Sequence, residues 1–382
     1  MFDFSAPVDR TCSDSVKWGK YADRDILPMW VADMDFLSPP AVIQALHQRI
    51  DHGVFGYAQP PETLNRTIVA HLEQAYRWTI EPKWIVWLPG LVTGLNVACR
   101  SVGVPGNAIL THAPVYPPFL TAPHFAERKL QTFAIILQED RWVPDLGQMA
   151  QAVDKTTRLF LLCNPHNPTG RIFTEKELNA MAELCLRKKL VICSDEIHCD
   201  LVLEPGGRHR PIASLSPQIA DQTITLMAPS KTYNIPGLGC SLAIISNPSL
   251  KKRFTHTMKG IVPHVNCLGY AATQAAYDQG AEWLQALLSY LRGNRDLIYT
   301  TLSGLRGLHM TSIEATYLAW IDARRCGHEN PQRFFEDNGV GLSDGADFGA
   351  PGFVRLNFGC TRNLLSQALD RMVNALSQSK PS

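Results

Sequence analysis

Between residue 84 and about residue 246 the chain repeats one pattern, a short apolar run, a polar turn and then a stretch with helical periodicity. The runs are Ile85 to Leu88, Ala108 to His112, Gln131 to Ile136, Leu159 to Cys163, Leu190 to Cys193, Thr223 to Met227 and Ser241 to Ile245. Most are continuously apolar, as strands buried on both faces are. Buried strands alternating with helical segments imply crossover connections, hence a seven-stranded, mainly parallel sheet covered by helices. This α/β pattern directs attention to the carboxyl ends of the strands, where open sheets of this class bind ligands.

Three strand ends deliver chemistry. Leu159 to Cys163 runs into NPHNPTG (Asn164 to Gly170), Leu190 to Cys193 into SDEIH (Ser194 to His198), and Thr223 to Met227 into MAPSKTYNIPGLG, which ends at Gly239. They bring Asn167, Asp195 and Lys231 to one edge of the sheet. A lysine held at a strand end by a Pro- and Gly-rich loop is a candidate covalent amine, whereas most lysines are solvated surface groups. The turn PGLVTGLNVACRSV opens a helix, and the unpaired amides of Leu91, Val92 and Thr93, with the Thr93 hydroxyl, suit a phosphate. In APVYPPF, Tyr116 between prolines is a rigidly presented aromatic, with a turn filler as the plain alternative.

Asn167, Asp195 and Lys231, in that order on successive strand ends, resemble the fold-type I pyridoxal-phosphate enzymes, the aspartate aminotransferase superfamily. That resemblance implies a large cofactor domain carrying the seven-stranded sheet and a small α/β domain. It implies pyridoxal 5'-phosphate held covalently by Lys231, with Asp195 ionised at the pyridine nitrogen, Asn167 at the ring's phenolic oxygen and Tyr116 stacked on the ring. Val92, Thr93 and Ser230 would serve the phosphate. Arg355, in FVRLNFGCTR, matches the family arginine that grips the substrate carboxylate as a bidentate pair, and Arg362 is the surface alternative.

The phrase LPMWVADMDFLSPP (Leu27 to Pro40), with SDSVKW at Ser13 to Trp18, resembles one branch of that superfamily, the cystathionine β-lyase and cysteine C–S lyase (MalY/PatB-like) group. Ala32, in this phrase, and Asn167 are then expected at the substrate. Asp33 and Asp35 would share one face of an extended segment, as an acid/base pair or, preferably, in structural hydrogen bonds. His198 stands where many aminotransferases carry tyrosine and is expected to share the contact to the phenolic oxygen, its protonation state open. Gly239 replaces the arginine that typical aminotransferases place eight residues after the lysine, and Ala228 replaces a common serine, with Ser230 as substitute. Tyr57, in HGVFGYAQPPE, is a packing residue or, by the resemblance, reaches the partner subunit's cofactor phosphate, which implies a homodimer.

The remaining segments are helical: Ala41 to Ile50, Leu64 to Tyr76, Pro248 to Lys259, Gly269 to Gln279, Ala281 to Leu302 and Leu364 to Ser377, with strands at Tyr317 to Ile321 and Phe353 to Phe358. The expected organisation is an arm and part of the small domain over 1–45, a large domain over 46–280 and a small domain over 281–382. A net charge of +1 with 19% charged residues favours a small-molecule substrate over nucleic acid or membrane. No basic-then-apolar leader and no run of 18 apolar residues occurs, so a cytoplasmic protein is expected. The ten cysteines contain no CxxC pair and read as buried thiols, and no second cluster joins His198 and Cys199 to make a metal site.

Over nearly the whole chain, the resemblance implies a C–S β-lyase of cysteine and methionine metabolism that cleaves cystathionine or another cysteine S-conjugate. An aminotransferase would use the same central residues, and a non-catalytic cofactor-binding regulator is the alternative from another class.

Overall fold

The computed structural model describes residues 2–11, 13–305 and 307–378. A short strand in the N-terminal arm, β1 (Leu27–Pro28), precedes the strands of the main sheet. These are β2 (Ile85–Leu88), β3 (Ala108–Ala113), β4 (Lys129–Gln138), β5 (Arg141–Pro144), β6 (Thr157–Cys163), β7 (Val191–Asp195), β8 (Thr223–Met227) and β9 (Ser241–Ile244). They lie in the order β2-β9-β8-β7-β6-β3-β4-β5. All seven expected strands are present, and those from β8 across to β4 pair in parallel. β9 runs antiparallel to both its neighbours. The eighth strand, β5, forms an antiparallel hairpin with β4 at the sheet edge.

Beyond the sheet, the helix Ala281–Leu302 leads to β10 (Leu318–Asp322), β11 (Val340–Gly341), β12 (Ser343–Asp344) and β13 (Phe353–Asn357). β10, β13 and β12 form a three-stranded antiparallel sheet, while β11 pairs in parallel with β1 of the arm. The arm therefore adds a strand to the C-terminal part of the chain. An apolar cluster spanning Phe4, Met29, Met34 and Phe36 of the arm, Leu287 and Leu291 of the long helix, and Leu318 and Val354 buries this junction. No helix among the described residues is long and apolar enough to cross a membrane.

The arm is fixed by a buried charge network. Lys17, fully buried, lies 2.6 Å from the Asp35 carboxylate, whose other oxygen accepts from Arg10 at 2.7 Å and from the Trp18 indole at 3.0 Å. Arg10 also pairs with Asp33 at 2.7 Å. The two aspartates thus act structurally, as preferred, although one oxygen of Asp33 is buried without a hydrogen-bond partner. Removing one partner from a buried ion pair strands the other charge in a poorly solvated site. Asp35→Asn is expected to lower unfolding free energy by about 3–5 kcal/mol, measurable as a shift of the urea midpoint. A change within error would mean that Lys17 finds solvation elsewhere.

Candidate active site

The ends of β6, β7 and β8 converge because parallel pairing brings their carboxyl ends to the same edge. After β6, Asn164 accepts from the Phe173 amide at 3.0 Å, and the Gly170 amide donates to the His166 carbonyl at 2.8 Å, folding NPHNPTG into a compact turn. Gly170 has φ +71°, and a Cβ there would lie 2.7 Å from Ile313, so no other residue fits. Below the turn the Cys163 amide donates to His112, and His112 lies 3.1 Å from His166. Burial lowers both imidazoles, His112 to about 3, so they act as neutral struts. The Tyr116 amide donates to the Asn167 carbonyl at 3.0 Å, locking the APVYPPF loop against this turn.

Three charged side chains meet at this edge with no ion-pair partner among the described residues. Asp195 is buried and accepts one backbone hydrogen bond, from Ile197 at 3.1 Å. Burial, with the neighbouring Glu196 adding to it, pushes its carboxyl up to about 7. Asp195 is therefore only partly ionised near neutral pH in its protein surroundings, and the full charge expected of it from sequence calls for a cation beside it.

Lys231 donates to the Ala32 carbonyl, which also accepts from the Tyr317 hydroxyl at 3.0 Å. Burial lowers the Lys231 amine to about 8, opposed by Asp33 and Asp195 and assisted by Arg355. Ala32 thus meets the lysine itself through its backbone.

Arg355 donates to Asn167 Oδ1 at 3.0 Å, to the Trp30 carbonyl at 2.9 Å and to Ser343 at 3.2 Å, and its guanidinium lies 4.8 Å from the Phe348 ring centroid. Its Nε is buried without a partner, and burial lowers the group to about 10. An arginine held only by neutral acceptors is a ready site for a carboxylate. Arg362, the alternative, lies against Tyr290 and Asn294, at the start of the last helix.

His198 is buried, its ring edge-on to Tyr317, with Nδ1 unpartnered. Desolvation, with Lys231 and Arg355 nearby, lowers it to about 3, which makes it neutral. The helix Leu91–Ser101 begins after Gly90 with no side-chain cap, so the amides of Leu91, Val92 and Thr93 remain available to an anion. Gly239 has φ +56° and brings the loop after Lys231 against this turn, where a Cβ would lie 3.1 Å from the Pro89 carbonyl. Ser230 opens the Lys231 turn, its carbonyl accepting from the Ile235 amide at 3.0 Å. Tyr57 is fully exposed.

The donors suit pyridoxal phosphate. A cationic ring nitrogen would relieve Asp195, an aldehyde would meet Lys231, and the orphaned His198 Nδ1 and the free helix amides match a polar ring substituent and a phosphate. Asn234 and Tyr317 escaped the sequence reading. Asn234 accepts from the Met34 amide at 2.9 Å and donates to the Met34 and Phe36 carbonyls, tying the arm to the lysine loop. The only sequence signal for it was its place in the NIPGL loop; for Tyr317 there was none beyond the start of a strand.

The family model for aminotransferases of class I and II matches residues 24–372. The chain is 35% identical to cystathionine beta-lyase PatB of Bacillus subtilis over 98% of this chain and 100% of that protein. Among solved structures, OvoB is 48% identical with a TM-score of 0.97, covering 99% of this chain and 100% of that one. Cystalysin of Treponema denticola, which contains a pyridoxal 5'-phosphate cofactor, is 31% identical with a TM-score of 0.95 over the full length of both chains.

The contact at Gly239 yields a test. Gly239→Arg, which restores the residue of typical aminotransferases, forces a side chain into a left-handed backbone conformation against the Pro89 carbonyl. It is expected to cost at least about 1–2 kcal/mol in chemical denaturation without tightening cofactor binding. Unchanged stability with tighter binding would contradict this reading of the loop.

Proposed function

We propose, from the premise that the chain belongs to the aminotransferase class I and II family, that it is a pyridoxal-phosphate-dependent C–S β-lyase acting on cysteine S-conjugates such as cystathionine. The observation that carries the reading is the set of Lys231, Asp195 and Arg355, gathered at one sheet edge without ion-pair partners. Similarity to a cystathionine beta-lyase over nearly the whole chain favours elimination over amino transfer, as do Gly239 and His198 in place of the usual arginine and tyrosine.

When bound, the cofactor supplies an electron sink for the pair left at Cα. Lys231 anchors it and, once displaced by the substrate amine, takes the Cα proton onto Nζ. An amine at about 8 is about one-tenth unprotonated at pH 7, against far less for an ordinary lysine. Arg355 and Asn167 hold the substrate carboxylate so that the Cα–H bond faces Lys231, which decides the bond that breaks. Asp195 keeps the ring nitrogen protonated, Tyr116 covers the ring, and neutral His198 contacts the ring oxygen without adding charge. Cleavage of Cβ–S then releases the thiol and a three-carbon enamine, which takes up water to give pyruvate and ammonia.

The same reading divides the chain at about residues 45 and 280 and makes it a homodimer. Exposed Val54, Phe55 and Tyr57, with Ile50 nearby, support an interface on this loop. The free cysteines fit a reducing cytoplasm.

Purified holoenzyme given a panel of S-substituted cysteines is expected to release thiol, pyruvate and ammonia in equal amounts. Product that appears only with a 2-oxo acid acceptor would make the protein an aminotransferase instead, and cofactor binding without turnover would make it a regulator. Arg355→Met should raise KM by tenfold or more, since a charge-assisted hydrogen bond is worth about 1.5–3 kcal/mol; an unchanged KM would remove Arg355 from the carboxylate. Mixing inactive Lys231→Ala with a crippled Tyr57→Phe should restore activity, because one heterodimer site then carries neither defect. No recovery after verified subunit exchange would return Tyr57 to its own chain.

A further inference from the structure

Immediately after Asp195, just past the end of β7, lies a second carboxylate that the proposed reaction does not use. The Glu196 side chain is completely buried. One oxygen accepts from the Ser194 hydroxyl at 2.9 Å and the Ile212 amide at 3.2 Å, and the other lies 2.7 Å from His209 Nε2. Three donors on one carboxyl group match its acceptor-only, ionised form. His209 is equally buried, and its Nδ1 has no partner. His209 Nε2 can donate to Glu196 whether or not Nδ1 also carries a proton, so the carboxylate keeps this hydrogen bond in either form. No arginine or lysine pairs with Glu196 among the described residues.

We infer that Glu196, oriented by His209 and Ser194, is a positioning residue that sets how strongly Asp195 holds the proton on the cofactor's ring nitrogen. The inference rests on the reading that pyridoxal phosphate occupies the site. A fixed negative charge one residue behind Asp195 raises that carboxylate's proton affinity, and an N–H shared between Asp195 and the ring is held more firmly for it. Asp195 responds accordingly, with Glu196 acting alongside burial.

The other titratable groups facing Asp195 are Lys231 from the loop after β8, Tyr116 from the loop after β3, Cys163 at the end of β6 and Cys193 in β7. Cys199 faces Glu196, and Asp200, held low by His71, lies beyond it. Burial keeps Cys163, Cys193, Cys199 and Tyr116 protonated, so Glu196 is the negative charge that acts directly on Asp195.

The test loads wild type, Glu196→Gln and Ser194→Ala with pyridoxal phosphate labelled with ¹⁵N in the ring and follows the nitrogen shift against pH. Glu196→Gln is expected to lose the ring proton at least about one pH unit below wild type, a tenfold weaker hold. Ser194→Ala, which strips a donor from Glu196 and leaves its charge less screened, should move the midpoint the other way, and it decides alone if Glu196→Gln does not fold. Midpoints equal to wild type, with or without a loss of thermal stability, would reduce Glu196 to a packing role and overturn the inference. A wild-type protein that takes up no labelled cofactor would instead overturn the cofactor reading on which it rests.

Discussion

Charge is costly to bury, and this chain buries it in two ways. In the arm, Lys17, Arg10, Asp33 and Asp35 offset one another within 2.7 Å. At the sheet edge, Lys231, Asp195 and Arg355 are denied ion pairs and shift instead, the amine down to about 8, the carboxyl up to about 7 and the guanidinium to about 10. Groups left in that condition give up stability that a ligand of complementary charge can return on binding. The core clusters of both parts of the chain must supply the stability that permits it.

The two arrangements are mechanically joined. Asn357 donates to the Asp33 carbonyl at 2.7 Å, Asn234 grips the backbone at Met34, and Ser343 donates to the Trp30 carbonyl at 3.0 Å. The Ala32 carbonyl, fixed between these grips, meets both Lys231 and Tyr317. The charged network of the arm thus positions a backbone oxygen at the catalytic amine, and Arg355 reaches the same strip of arm through the Trp30 carbonyl. An arm that looks peripheral in sequence helps to build the site.

Six of the seven runs were legible because burial on both faces leaves an unbroken hydrophobic signal, whereas β4 is largely exposed; no boundary of the seven moved by more than two residues. β5 was missed because RWVP is an edge strand, with a charge and a proline that a central strand could not carry. β1, β11 and β12 are two residues each and exist only through tertiary pairing. Asn167, Asp195 and Lys231 were legible through motif order and Arg355 through the likeness of FVRLNFGCTR to the family pattern, and the structure brings Arg355 against Asn167. The shifted state of Asp195, the neutrality of His198 and the roles of Asn234, Tyr317 and Glu196 were not, since each depends on neighbours distant in sequence or on the depth of burial.

The central claim is that one lysine, Lys231, carries the cofactor because its amine is the one buried at this edge. Borohydride reduction of the holoenzyme, followed by peptide mapping, tests it most directly. The account predicts a single pyridoxyl-modified peptide containing Lys231 and no stable label in Lys231→Ala. Stoichiometric label on any other lysine, or an unchanged label in that variant, would contradict it.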